Sequence, residues 1–249
     1  MASDLWVFGY GSLIWNPGFE HKKALIGKIK GYSRRFYQGS DVHRGRPDKL
    51  GRVVTLIEDE EGSTWGTAFL PNDEQIARSY LDNRELHLGG YDTLLTYFYP
   101  RDPKEEPFLV LVYVALPSNS LYLGPDPVPK IAHDIATSEG ECGHNVEYIS
   151  KLVAFMKIEL PFVSDEHLFE LEDIVKTILE EQQSPVINLF KDAIEAWINK
   201  PASTATNEEV AFEILQLGKQ QSDQEEEEAK PFSFMDSLPK RKLRCVHKF

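Results

Sequence analysis

Along the first half of the chain, apolar and aromatic residues come in short runs broken by Gly, Pro and Asp. The runs Leu5–Phe8, Ala24–Phe36, Arg52–Glu58, Thr64–Phe69, Thr93–Tyr99 and Phe108–Ala115 are rich in Val, Phe, Tyr, Thr and Leu and predict strands. The acidic stretch Glu58-Asp59-Glu60-Glu61-Gly62 predicts a hairpin turn between two of them. At Asp73–Asn83 the period changes: Ile76, Ala77, Tyr80 and Leu81 share one face, with Asn72 as cap and Gln75 three residues on, and a helix is predicted.

Helical spacing dominates the second half. Val146, Ile149, Leu152, Val153 and Met156 form a stripe over Asn145–Met156. Leu168, Leu171, Ile174, Val175, Ile178 and Leu179 do the same over Asp165–Glu181, with Ser164 or Asp165 as cap. Strands first and helices later predict an α+β domain, not a chain of βαβ units. After about Glu180 the character shifts: residues 180–249 hold 13 acidic and 9 basic residues, including Asp223–Glu228 and the basic Lys240–Arg244. Ser184–Trp197 predicts one more amphipathic helix, and the rest reads as a polar tail. The expected organisation is a domain over 1–180 and an extension over 181–249.

At 249 residues, with 41% hydrophobic and 11% aromatic content, the chain can bury one sizeable core. A net charge of −13 argues against broad binding to nucleic acid or anionic membranes, which rests on clustered Lys and Arg. The two cysteines, Cys142 and Cys245, fit a reducing compartment better than a disulfide framework. The start, MASDLWVFGYGS, lacks the pattern of a signal peptide, and no run is long enough to span a bilayer. A soluble cytoplasmic protein is the expectation.

Four stretches carry candidate chemistry. In Leu5–Pro17 a hydrophobic run opens into Gly9-Tyr10-Gly11-Ser12 and then closes with Leu13, Ile14 and Trp15. Glycines admit φ > 0 and close approach, so the N–H groups of Tyr10 to Leu13 are able to converge on one anionic oxygen. A tight turn between buried strands explains the same residues. It is neither a Walker loop nor G-x-G-x-x-G. In Arg84–Tyr91, Glu85 sits at a helix end next to apolar residues and two glycines. Burial raises a carboxyl pKa and makes it a proton shuttle near neutral pH; an ion pair with Arg84, Arg44 or Arg52 is the ordinary alternative.

The stretch His43–Leu56 offers Arg44 and Arg52 as bidentate partners for a carboxylate, or as a solvated loop followed by a buried strand. In Gly143–Tyr148, His144 and Asn145 read as a helix start. The seven histidines are scattered, with no metal-ligand spacing, and Ser12 lacks a nucleophile-elbow context. No metal is expected.

Taken in order, Val7–Leu13, Gly31–Phe36, His43–Gly45, Gly51–Leu56 and Arg84-Glu85…Gly89-Gly90-Tyr91 resemble the ChaC-type glutathione-specific γ-glutamylcyclotransferases, as do Tyr122–Pro125 and Gly143–Tyr148. The similarity covers about residues 5–180. It implies a compact, closed, barrel-like mixed β-sheet with helices packed around it. It also implies cleavage of glutathione to 5-oxoproline and cysteinylglycine without a cofactor.

By this resemblance Glu85 falls at the catalytic glutamate. Val7, Phe8, Gly9, Tyr10, Gly11 and Ser12 fall at the substrate-binding loop, which Leu13 completes. Arg44 and Arg52 are candidates for the substrate's glycine carboxylate, and Tyr148 with Tyr113 for the pocket wall, although such aromatics also serve as core. Val42 and Leu50 stand where the family pattern has Asp and Pro, beside those arginines. The expected partner is a small-molecule substrate, glutathione, handled by a monomer, with no nucleic acid or membrane. The loop and Glu85 would serve other γ-glutamyl compounds as well, and only the match over His43–Leu56 and Gly143–Tyr148 favours glutathione. The alternative of a different class is a non-catalytic binding module with a docking tail, against which the intact Glu85 and Tyr10–Leu13 loop speak.

Overall fold

The computed structural model describes residues 5–79, 81 and 91–200. Five strands, β1 (Trp6–Gly9), β2 (His21–Ser40), β3 (Gly51–Pro71), β4 (Tyr91–Pro100) and β5 (Phe108–Ala115), close into a barrel in the order β1-β3-β2-β4-β5. All neighbours are antiparallel except β1 and β5, whose parallel pairing sets Trp6 opposite Val110 and Phe8 opposite Val112. The interior is apolar: Phe8, Ile29, Phe98, Val110 and Val112 are all buried. The expected closed mixed sheet with helices around it is what forms.

The hairpin expected at Glu58–Gly62 does not form. Arg52–Glu58 and Thr64–Phe69 belong to one strand, β3, which runs against β2 along its length. The acidic stretch is taken up as a register shift, with Lys30 opposite Ser63 but Tyr32 opposite Glu58. Gly31, at φ 82°, turns β2 at that point, and Ser33 Oγ donates to Asp59 Oδ2 at 2.5 Å. Turn-favouring residues here make a bulge because β2 is long enough to pair both halves.

The chain is helical over 74–79 and at 81 (α1), and Asn83 lies outside the described residues. Asp73, not Asn72, caps it: its Oδ1 accepts from Gln75 N at 2.8 Å and Ile76 N at 3.0 Å, while the Asn72 amide is spent on Glu20. Then come α2 (Val128–Thr137), α3 (Asn145–Glu159), α4 (Glu166–Glu181) and α5 (Asn188–Ile198), with a two-stranded ribbon of β6 (Glu139–Gly140) and β7 (Gly143–His144) leading into α3.

Helices α3, α4 and α5 follow the predicted stripes; α2 was not predicted. Ten of the fifteen α3 residues are buried, so this helix sits inside the helical layer and not on its surface. Glu172 of α4, 2% exposed, is held by Lys157 of α3 at 2.7 Å and Lys176 at 2.6 Å. Trp197 of α5 donates to Glu159 Oε1 at 3.0 Å and packs on Phe155.

The topology gathers one end of the barrel. The parallel β1 and β5 finish there, so their antiparallel neighbours place the end of β2 and the starts of β3 and β4 at the same end.

Candidate active site

At that end β1 gives way to Tyr10 and Gly11, followed by a 3-10 turn over Ser12–Ile14. Ile14 N donates to Gly11 O at 3.0 Å, and Asn16 N to Ser12 O at 2.9 Å. The glycines are required by space and not by backbone handedness. Gly11 has φ −128°, and neither it nor Gly9 is among the described positive-φ glycines. A Cβ on Gly9 would lie 2.6 Å from Leu13 Cβ, and one on Gly11 would lie 2.7 Å from the Tyr148 hydroxyl and 2.9 Å from Val54 Cγ2. The loop is therefore pressed against α3 and β3 at closer than side-chain contact.

Bulky residues hold it from behind. Leu13 packs on a cluster of Val7, Leu81, Leu111 and Tyr113, and Ile14 is buried. Trp15 meets Tyr148 edge to face at 5.3 Å. Tyr148 is itself buried, packs edge to face on Phe36 at 6.1 Å, and accepts from Val54 N at 3.4 Å.

Polar contacts fix the same loop. The Tyr10 hydroxyl donates to Tyr113 O at 2.8 Å, and the Tyr10 carbonyl accepts from Arg34 Nη1 at 2.9 Å. Arg34 also donates through Nε (2.9 Å) and Nη2 (2.7 Å) to Asp165 Oδ2. The other oxygen of Asp165 caps α4, accepting from Leu168 N at 3.1 Å. A chain of hydrogen bonds thus runs from the loop through β2 to the start of α4. Arg34 was not picked out as a site residue, because its partner stands 131 positions away. Its signal in the sequence was a cation at a position alternating with the aromatic Tyr32 and Phe36.

His167, the second residue of α4, was also missed. Its Nε2 accepts from Phe36 N at 3.2 Å. Burial, with help from the Arg35 charge, lowers its pKa to about 4, so the ring is neutral at physiological pH.

Of the expected site residues, Val7, Phe8, Gly9, Tyr10, Gly11, Ser12, Leu13 and Tyr148 come together here. Glu85 lies outside the described residues, as do its neighbours over 82–90. The described chain on either side belongs to this end of the barrel: Leu81 packs on Val7 and Tyr113, and Tyr91 pairs with Ala115.

Arg44 and Arg52 are engaged elsewhere. Arg44 Nη1 donates to Glu147 Oε2 at 2.5 Å and to His144 O at 3.0 Å. Burial pushes the Glu147 carboxyl up, but hydrogen bonds from Lys151 and Arg44 outweigh it and hold the pKa below its usual value. Arg52 is 1% exposed; it donates through Nε to Asp134 Oδ2 at 3.0 Å and through Nη2 to Asp126. Asp126 is held in its charged form by Lys130 and Arg52. The buried Asn145 clasps the Arg52 backbone, accepting from its N at 2.6 Å and donating to its O at 2.8 Å. The cap of α3 is instead His144, whose Nδ1 accepts from Val146 N at 3.2 Å. Both guanidiniums expected as substrate contacts hold protein carboxylates.

Comparison with known proteins adds the following. Residues 5–178 match the family model described as ChaC-like protein. The chain is 49% identical over 177 residues to the human glutathione-specific γ-glutamylcyclotransferase 1, covering 70% of this chain and 80% of the relative. It is 36% identical over 192 residues to the Schizosaccharomyces pombe glutathione-specific γ-glutamylcyclotransferase, covering 70% of this chain and 93% of that one. The crystal structure of a yeast γ-glutamylcyclotransferase specific to glutathione superposes with a TM-score of 0.62 at 27% identity, covering 70% of this chain and 96% of the other.

Proposed function

Because the chain belongs to the ChaC-like family, we propose that it is a glutathione-specific γ-glutamylcyclotransferase, a lyase releasing 5-oxoproline and cysteinylglycine. The observation that carries this reading is the loop over 9–13, braced by Arg34 and Tyr148 at the barrel end that both flanks of the Glu85 segment reach.

A γ-glutamyl group carries its own nucleophile. Its α-amine attacks the γ-carbonyl carbon, a five-membered ring closes, and the bond from that carbon to the cysteinyl nitrogen breaks. No serine, cysteine or water takes part. The protein's task is to fold the substrate into the cyclising conformation, an orientation effect worth roughly 7–11 kcal/mol in well-aligned systems.

The amine attacks as its free base, its ammonium proton having gone to solvent, and one further proton must then move. Glu85, as catalytic base, takes it from the attacking amine and, as acid, delivers it to the departing nitrogen, so the carboxylate is regenerated each turn. N–H groups of Tyr10 to Leu13 hold the substrate carboxylate or the developing oxyanion, and a loop with no slack keeps them aimed. Val7, Phe8 and Gly9 set the loop's position, and Tyr148 walls it. Arg44 and Arg52 brace the surrounding backbone. We assign catalysis to residues 1–180, with 181–249 as an extension to it. The enzyme acts as a cytoplasmic monomer on a small molecule, with no nucleic-acid or membrane partner, in keeping with its charge of −13.

The test is product analysis with purified wild type and Glu85→Gln. Wild type converts glutathione to 5-oxoproline and cysteinylglycine, and the variant loses at least about 10³-fold of that rate while keeping its fold by circular dichroism. Full activity in Glu85→Gln removes Glu85 from the mechanism; turnover of other γ-glutamyl amino acids but not of glutathione moves the substrate assignment to them.

A further inference from the structure

Among the described residues, three buried side-chain polar atoms make no hydrogen bond: Gln38 Nε2, Gln38 Oε1 and Asn119 Nδ2. Gln38 is 0% exposed and Asn119 4%. An amide buried without partners costs on the order of 1–3 kcal/mol, and folded proteins keep few of them. Two such amides close together in the fold ask for an occupant that supplies acceptors to their nitrogens and a donor to Gln38 Oε1.

Their position names the occupant. Gln38 pairs with Val53, so the two side chains share a face of the sheet, and Thr55 shares it two residues on. Thr55 Oγ1 donates to Ala115 O at 2.9 Å, across to the end of β5, so this face looks into the barrel. Ala115 is also the residue that Tyr91 pairs with, where the chain returns from the Glu85 segment.

Asn119 sits on the turn just after β5, and that turn is stitched to β2 at this point. Gly39 N donates to Leu121 O at 2.7 Å, Gln38 bridges Tyr122, and Tyr122 N donates to Asn119 O at 3.0 Å. Asn119 Oδ1 is spent on Leu121 N at 2.8 Å, which leaves only its amide nitrogen to give. Both amides therefore belong to the end of the barrel that carries the 9–13 loop.

We infer that Gln38, with Asn119 on the adjoining turn, hydrogen-bonds a peptide amide of the bound substrate and so positions it in the barrel mouth. The inference rests on the proposed activity. A neutral carboxamide matches a secondary amide, donor to carbonyl and acceptor to N–H. A carboxylate calls for a cation instead, and Arg34, Arg44 and Arg52 are all paired with protein carboxylates. Glutathione has two such amides, the scissile one and the cysteinyl–glycyl one; γ-glutamylcysteine has only the first.

Gln38→Met keeps the length and removes the hydrogen bonding. A group whose partner is substrate is expendable for folding, so the variant melts at or above the wild-type temperature. Its kcat/KM for glutathione falls about 10- to 100-fold. The affinity lost for γ-glutamylcysteine, measured in both proteins as its Ki against glutathione turnover, tells the amides apart. Loss confined to glutathione marks the cysteinyl–glycyl amide, and equal loss at an unchanged melting temperature marks the scissile one.

A kcat/KM within twofold of wild type overturns the inference. So does a lowered melting temperature with equal loss on both compounds, which is the signature of a structural amide. Wild-type protein run alongside separates the two levels: an inert wild type removes the proposed activity, whereas an active wild type with an unaffected variant removes only the role of Gln38.

Discussion

Arg34 on β2 and Arg52 on β3 are both almost wholly buried, 3% and 1% exposed, and each holds carboxylates from elements far along the chain. They differ in what the remaining guanidinium nitrogen touches. Arg34 gives Nη1 to the carbonyl of Tyr10, in the middle of the loop that faces the proposed site. Arg52 gives its Nη1 to Phe36 O at 3.5 Å and faces Asp126 and Asp134 around α2, away from that loop. The comparison teaches that an arginine near a binding motif is not thereby a binding residue. Its role follows from which acceptors surround it once the chain has folded.

The largest expected effect is at Arg34. Arg34→Met leaves the partly buried Asp165 without its cation and frees the Tyr10 carbonyl, so it costs about 3 kcal/mol in denaturant unfolding and removes activity as well. Arg34→Lys keeps the charge but offers no fork, so it retains most of the stability yet loses kcat, because the loop is no longer clamped from two directions. Unchanged kcat in Arg34→Lys would make Arg34 as remote from function as Arg52.

Arg52→Met sharpens the contrast. Two carboxylates lose their partner, both still partly solvated and close to Lys130, and stability falls by about 2–4 kcal/mol. The KM for glutathione, measured on the folded fraction, stays within twofold of wild type. A tenfold rise in KM with the fold intact would return Arg52 to the substrate.

A smaller effect comes from His167, which links α4 to β2 beside the Arg34 chain. Its folded pKa of about 4 lies below the ordinary 6.5, so between those values the unfolded chain binds more protons than the folded one. Stability is complete above about pH 6.5 and declines as pH falls toward 4, reaching about 2 kcal/mol of loss by pH 5. Urea midpoints at pH 7 and pH 5 measure it. In His167→Gln, whose amide oxygen still accepts from Phe36 N, this part of the pH dependence disappears.

The contrast between the two arginines also marks what the sequence made legible. Alternating apolar runs gave β1, β4 and β5 nearly to the residue, and helical stripes gave α3 and α4, because each pattern is local. The Gly-Tyr-Gly-Ser loop was legible as a tight turn, but the reason for its glycines was not: the space is taken by Tyr148 and Val54, which only tertiary packing brings there. Helix α2, ten residues hemmed by Pro125, Pro127 and Pro129, carried too short a stripe to stand out. Without it the partners of Arg52 were invisible, and the arginine read as a free binding group. The acidic run at Glu58–Gly62 was legible as a break in regular pairing, but only the length of β2 decides between hairpin and bulge.

The central claim is that the substrate's own amine is the nucleophile in a site built around a rigid loop. Quantifying 5-oxoproline, cysteinylglycine and free glutamate from glutathione in one time course tests it most directly. The account predicts 5-oxoproline and cysteinylglycine in equal amounts from the first time point, with no glutamate. Release of free glutamate in place of 5-oxoproline would mean that water, not the α-amine, attacks the carbonyl, and would contradict it.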